Sequence, residues 1–263
     1  GIAILVFFLV ASSWDIPSFE TLENPEYDSA SVIYSNDETI FGTYYIENRL
    51  PVEYDDLPTS MISALVSTED ARFHEHNGID IQALGRVAIK TVLLGQDSGG
   101  GGSTITQQLA KLLFKRPNLR GKNKFSRIIA LVQVKFKEWL TAVRLEKQYT
   151  KEEIMTMYLN KFEFINGAHG VYSAAETYFN KPLDSMRVEE NAVLVGMLKN
   201  PSLYNPIRFP EKAQKRRNVV LKQMERYGEL TTAEYDSLKL IEIDMSDFNR
   251  ETQSEGVGPY FRS

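Results

Sequence analysis

Three stretches of this sequence carry side chains suited to catalysis. The first is Thr68-Glu69-Asp70-Ala71-Arg72-Phe73-His74-Glu75-His76-Asn77-Gly78. Glu69 closes an apolar run, and a carboxylate beside hydrophobic groups is suited to general acid–base work through desolvation. His74 and His76 stand at i, i+2 with no third histidine nearby, so they do not make a metal face; His76 is expected to have a structural, hydrogen-bonding role. The second stretch is Gly101-Gly102-Ser103-Thr104-Ile105-Thr106-Gln107-Gln108-Leu109-Ala110-Lys111. A glycine loop that feeds a helix N-terminus offers backbone N–H groups and the positive end of a dipole to an anion. Ser, Thr and Gln add neutral partners for sugar hydroxyls or phosphate, and Lys111 adds a charge. The Gly-Lys-Ser/Thr ending of a Walker loop is absent. The third stretch is Lys135-Phe136-Lys137-Glu138-Trp139. Lys135 and Glu138, at i, i+3, share a helix face with Val134, Ala142 and Leu145. Flanked by two lysines, Glu138 suits the part of an anionic partner for a metal or cationic centre, which leaves Glu69 as the candidate base.

These groups need elements to hold them. Ser31–Ser35 and Thr39–Ile46 are rich in β-branched and aromatic residues around Asn36-Asp37, which predicts a small hairpin. From Pro58 the pattern turns helical, with Met61, Leu65 and Val66 on one face. A second amphipathic stretch runs from Ile79 to Leu94. Thr104 and Gln107 have capping-box spacing and open a helix through Phe114. Pro117 to Asn123 breaks it, and a long helix follows from about Phe125 to Tyr149. Thr150 with Glu153 caps the next, and further helices are expected near 170–180, 184–198, 211–227 and 232–239. The stretches Gly95–Gly102 and Pro117–Lys124 lack apolar periodicity and are expected to be mobile without substrate.

Composition narrows the classes of function. The chain has 263 residues, enough for one large domain or two small ones, and no cysteine, which excludes disulfides, thiolate metal sites and thiol nucleophiles. Between Lys111 and Lys151 stand twelve Lys or Arg against only Glu138 and Glu146, a local charge of +10; with a net charge of −5, the rest carries −15. A basic zone inside an acidic chain points to phosphate or an anionic membrane surface and away from nucleic acid. Ile2 to Ala11 are ten apolar residues, too few for the about 20 of a membrane span, so residues 1–14 read as the C-terminal part of a transmembrane anchor, with Trp14 near the interface. Residues 15–30, with Pro17 and Pro25, read as a linker.

Together the motifs resemble the family 51 peptidoglycan glycosyltransferases. Residues 68–78 match its Glu-Asp-x-x-Phe-x-x-His-x-Gly motif, and residues 101–111 its Gly-x-Ser-Thr-Ile-Thr-Gln-Gln-Leu-x-Lys motif. Lys135-Phe136-Lys137-Glu138 stands where the family has Arg-Lys-x-x-Glu, with Val134 in place of the usual Arg. Lys151–Asn160, Gly167–Lys181 and Leu194–Pro206 resemble the later motifs, in family order. Gly258-Pro259-Tyr260-Phe261-Arg262 looks like the segment entering the transpeptidase half of bifunctional class A penicillin-binding proteins. The second motif ends Lys111-Leu112 rather than Lys-Asn.

The resemblance implies a mainly α, lysozyme-like fold with a helical head lobe, a small membrane-facing jaw lobe and a short β-hairpin near the N-terminus. It implies a glycosyltransferase domain over 31–245 and a linker toward a transpeptidase domain over 246–263. The implied activity is polymerisation of lipid II into glycan strands, with inversion and release of undecaprenyl pyrophosphate. Glu69 and Glu138 are the implied catalytic residues, with Glu138 also toward a metal. Asp70, Ser103, Thr104, Gln107, Gln108, Lys111, Arg120, Lys124, Lys135 and Asn160 are implied to bind substrate; with Val134 in place of Arg, one phosphate contact is either missing or supplied by Arg120, Lys124 or Arg127. A divalent cation, Mg²⁺ or Mn²⁺, would travel with the pyrophosphate. Further implied partners are the growing glycan, the membrane and inhibitors of the moenomycin type; no protein partner is indicated. The implied location is the inner or plasma membrane, single-pass, with the catalytic domain on the extracytoplasmic face. A lysozyme-like or lytic transglycosylase is the alternative on fold, but glycan cleavage releases no phosphate and gives the basic segment no purpose. A catalytically silent wall-binding module is at odds with two intact glutamates.

Overall fold

Helices dominate the architecture. The computed structural model describes the strand backbones at 31–34 and 40–44 and residues 51–94, 102–113, 121 and 123–249. The expected anchor at 1–14, the linker at 15–30, the turn at Asn36-Asp37, the loop Gly95–Gly101, Arg120 and the tail from 250 onward lie outside the described residues. The hairpin is present as β1 (Ser31–Tyr34) and β2 (Ile40–Tyr44), antiparallel, with an irregularity in register at Ile33/Tyr34. Nine helices follow among the described residues: α1 (Thr59–Glu69), α2 (Ile81–Leu94), α3 (Ile105–Leu113), α4 (Lys124–Gln148), α5 (Lys151–Lys161), α6 (Gly170–Phe179), α7 (Val188–Leu198), α8 (Pro210–Arg226) and α9 (Thr232–Leu238).

The chain folds as two compact units that interleave in sequence. The described part of the first is 72–158, and that of the second is 31–71 with 159–249. In the first, α3 packs on α4, with Ile105, Leu109, Ala110, Ala142 and Leu145 buried between them. Removal of such apolar area from water is the main driving force, at about 25 cal/mol per Å². In the second, α7 is the central element: every residue from Glu189 to Leu198 is buried, because α1, α6 and α8 all pack on it. A helix apolar on nearly every side has no solvent face to keep.

Caps set the helix boundaries. Thr150 opens α5 as expected: its N–H donates to Glu153 Oε2 (2.7 Å), and the Glu153 N–H donates to Thr150 Oγ1 (3.2 Å). The long helix begins at Lys124 because the Asn123 side chain accepts from the Ser126 N–H. Two expectations need correction. The helix expected from 184 begins at Val188, preceded by a single 3₁₀ turn at Leu183–Ser185, because the Arg187 N–H is capped by the Glu190 carboxylate. The capping box at Thr104 is half made. Thr104 Oγ1 accepts from the Gln107 N–H (3.1 Å), but the Gln107 side chain turns away to the Gly78 carbonyl.

Candidate active site

In the first unit, Lys135 joins the second and third motifs. Its ammonium donates to Ser103 Oγ and to Glu138 Oε2, both at 2.9 Å. The Glu138 side chain is 8% exposed, while that of Lys135 is 39% exposed. Burial of a carboxylate is costly without a partner, and Lys135 supplies one from the adjacent helical turn. Two of the three ammonium protons are engaged, and the third can meet a phosphate oxygen from solvent. Ser103 lies immediately before Thr104 and α3, so a hydroxyl, an ammonium and a helix N-terminus come together. By its chemistry this juxtaposition can receive an anion.

Other residues expected to bind substrate are engaged within the protein. Thr104 Oγ1 donates to the Gly78 carbonyl (2.7 Å), and Gln107 Nε2 donates to the same oxygen (3.1 Å). Both side chains are buried and latch the first motif to α3; Gln107 Oε1 is buried without a hydrogen-bond partner among the described residues. Gln108 Oε1 accepts from the Tyr158 hydroxyl (2.9 Å). Lys111 and Lys124 are exposed, as cations that meet a mobile anion must be.

A buried ionic cluster in the same unit was not anticipated. Glu146 on α4 accepts from Lys151 Nζ (2.8 Å) and from the Thr106 hydroxyl. Lys151 also donates to the His76 carbonyl (2.6 Å) and stands 4.5 Å from the centre of the Phe73 ring. The Glu146 side chain is only 4% exposed. One carboxylate and one ammonium thus tie three motifs to α4. Scarcity was the signal: Glu146 is one of two acids in the +10 stretch. The structural role expected of His76 is observed, since its Nδ1 accepts from the Gly78 N–H (3.2 Å). Arg72 adds a further clamp, with Nε donating to Asp80 Oδ2 (3.1 Å). Burial pushes the Asp80 carboxyl up, but the Arg72 bond, the Ala83 N–H and the Arg72 charge outweigh it and hold the carboxyl below its usual range.

In the second unit, Glu69 is the last residue of α1. It was expected among hydrophobic groups; the structure places a guanidinium beside it. Arg216 Nη2 donates to Glu69 Oε1 at 3.1 Å, and the two side chains are 10% and 14% exposed. Asp70 is buried as the C-cap of α1. Asn160 was expected to bind substrate, but both ends of its amide hold the Val52 backbone: Oδ1 accepts from the Val52 N–H (3.0 Å), and Nδ2 donates to the Val52 carbonyl (2.9 Å). That pair fixes the chain just ahead of α1. A polar cavity of about 280 Å³ in this unit, lined by Glu176, Asn180, Lys181, Pro182 and Asn249, includes none of the expected site residues.

No group of three or more His, Asp or Glu among the described residues could hold a metal ion. Glu138, the expected metal ligand, already receives an ammonium. The described residues do not form a cage for a resident metal.

Similarity to known proteins covers the same stretch. The family model described as Transglycosylase matches residues 37–225. Penicillin-binding protein 1A of Escherichia coli is 37% identical over 224 residues, which is 85% of this chain and 25% of that protein. Penicillin-binding protein 1A of Aquifex aeolicus is 38% identical over 232 residues, covering 88% of this chain and 30% of that protein. Penicillin-binding protein 1F of Bacillus subtilis is 37% identical over 206 residues, covering 78% and 27%. A crystal structure of penicillin-binding protein 1A from Haemophilus influenzae aligns with a TM-score of 0.46 and 23% identity over 85% of this chain and 22% of that one. The chain therefore spans roughly a quarter to a third of the relatives it matches. With its motifs in order and the model matched over most of its length, the chain belongs to the transglycosylase family.

Proposed function

We propose that this domain is a peptidoglycan glycosyltransferase that polymerises lipid II. Glu69 takes the proton from the 4-hydroxyl of the acceptor's N-acetylglucosamine. That oxygen attacks the anomeric carbon of the donor's N-acetylmuramic acid from the face opposite the leaving group. The bond from that carbon to the pyrophosphate oxygen breaks with inversion, undecaprenyl pyrophosphate leaves, and the proton passes from Glu69 to solvent. A pyrophosphate leaves without protonation by a second carboxylate, unlike the sugar alcohol of a glycosidase. What it needs is charge stabilisation. The observation that carries this reading is Lys135, held between Ser103 and Glu138 at the mouth of α3 and set in the +10 segment. The exposed Lys111 and Lys124 add to the same positive field. A divalent cation, Mg²⁺ or Mn²⁺, arrives with the pyrophosphate rather than residing in the protein, since one lysine-paired carboxylate makes no cage.

The lipid substrate calls for contact with a bilayer. None of the described helices is long and apolar enough to cross a membrane. The first half of α4 nevertheless exposes Phe125, Ile128, Ile129, Leu131 and Val132 beside Lys124 and Arg127. Apolar residues interleaved with basic ones suit the interface of an anionic membrane, and we assign this stripe to the membrane-facing jaw. With residues 1–14 as the end of a single-pass anchor, the domain works on the extracytoplasmic face. Moenomycin-type phosphoglycolipids would compete at the Lys135 site.

Incubation with labelled lipid II tests the reading. Polymer is expected, and Glu69→Gln should lower the rate by about 10²–10⁴-fold while the domain stays folded, because the amide keeps the shape but accepts no proton. Cleavage of preformed glycan without polymer would favour a lytic enzyme, and wild-type turnover with Gln at position 69 would reject the base.

A further inference from the structure

Glu69 stands where its own helix disfavours it. The C-terminus of a helix carries the negative end of the macrodipole, and a carboxylate on its last residue is repelled by it. A second negative end lies nearby, because α1 packs against α7 and Gly196 falls within the last four residues of α7, whose carbonyls lack partners inside the helix. One guanidinium answers both. Arg216 on α8 donates from Nη2 to Glu69 Oε1 (3.1 Å) and from Nε to the Gly196 carbonyl (3.3 Å). Its Cζ lies 5.8 Å from the centre of the Tyr204 ring. We propose that Arg216 is the positioning residue of Glu69, setting the carboxylate by bridging the C-terminal ends of α1 and α7; this rests on the reading of Glu69 as the base.

The surroundings fit that task. A Cβ on Gly196 would stand 3.2 Å from Arg216 Cγ, so the glycine lets the arginine stem lie flat on α7. The next residue anchors α8: Arg217 is fully buried, with Nε donating to Asn218 Oδ1 (3.0 Å) and Nη2 to the Lys239 carbonyl (3.2 Å). Arginine suits this bridge where lysine does not, because its fork directs two separated N–H groups at two acceptors.

Rates of lipid II polymerisation, with kcat and KM resolved, test the proposal in Arg216→Ala, Arg216→Lys, Gly196→Ala, Glu69→Gln and the double variant Glu69→Gln/Arg216→Ala. A base displaced by about 1 Å loses on the order of 100-fold in rate. Arg216→Ala should therefore lose about 10- to 100-fold in kcat with KM within about threefold, as expected when an interaction made only in the transition state is lost. Added guanidinium ion should restore part of that loss. The double variant should be no slower than the residual rate of Glu69→Gln, because Arg216 acts through Glu69. A loss confined to KM, or losses that multiply in the double variant, would overturn the proposal by making Arg216 a direct substrate contact. Should Arg216→Ala fail to fold, Gly196→Ala and Arg216→Lys decide: a lowered kcat at similar KM in both supports the proposal, and wild-type kcat in both rejects it. Wild-type turnover in Glu69→Gln would bring down the base reading itself, and the proposal with it.

Discussion

Lys135 shows what a single residue can bear. It compensates the buried Glu138 and holds Ser103, while part of its surface stays open to solvent. Lys135→Ala should therefore weaken donor use and moenomycin binding. A charge-assisted contact contributes about 1.5–3 kcal/mol, so the loss should reach roughly tenfold or more. Lys147→Glu should do far less, because an exposed charge is screened. Titrating both variants with moenomycin by fluorescence separates the two; equal, salt-suppressed losses would mean a diffuse positive face instead of a site. At this scale the sequence was informative for residues that act through close neighbours. Lys135 and Glu138 are i, i+3, so helical periodicity alone paired them. Arg216 was not legible, since it meets Glu69 across 147 residues and nothing local marks it. The backbone bonds of Asn160, Thr104 and Gln107 were not legible for a related reason. A polar side chain in a motif can serve the backbone as well as a ligand, and only the fold shows which.

Among the elements, local chemistry fixed most of the boundaries. Asn123 and the Thr150–Glu153 pair start their helices where hydrogen-bond logic puts them. The failures came where a tertiary acceptor competed, as when the Gly78 carbonyl drew the Gln107 side chain from its cap. Gly78 also brings the first motif into close approach with α4. Its φ is +85°, and a Cβ there would lie 2.9 Å from the Ala142 carbonyl carbon and oxygen. A left-handed backbone costs a side chain about 1–2 kcal/mol, and overpacking against backbone adds about 1–3. Gly78→Ala should thus lose on the order of 2–5 kcal/mol, read from the denaturant midpoint at unchanged slope. A loss below about 1 kcal/mol would mean that α4 yields at Ala142 more easily than a packed helix should.

For the molecule as a whole, the charge asymmetry was visible in the sequence, but the joints of the two units were not. The first unit is cut from the middle of the second, and no change in composition marks the joints at 71/72 and 158/159. Periodicity reports which face of a helix is apolar and not which neighbour it meets. The exposed stripe on α4 is the feature most open to test at this scale. Ile128→Ser with Leu131→Ser should weaken sedimentation with anionic vesicles by about tenfold or more, since a large aliphatic side chain contributes about 1.5–3 kcal/mol when buried in an apolar phase. Unchanged vesicle binding with a lowered unfolding midpoint would instead show that the stripe is an internal packing face.

One consequence follows from the length of α4. Its 25 residues carry the exposed stripe in the first half and Glu138 in the second, on a single rod without a break. At 1.5 Å per residue, Leu131 and Glu138 are separated by roughly 10 Å along the axis. On the proposed reading, that rod is a spacer: as the stripe settles against the bilayer, the unbroken helix keeps the lysine-held carboxylate close to the headgroups. A lipid-linked donor would then meet Lys135 with its phosphates still at the headgroup level.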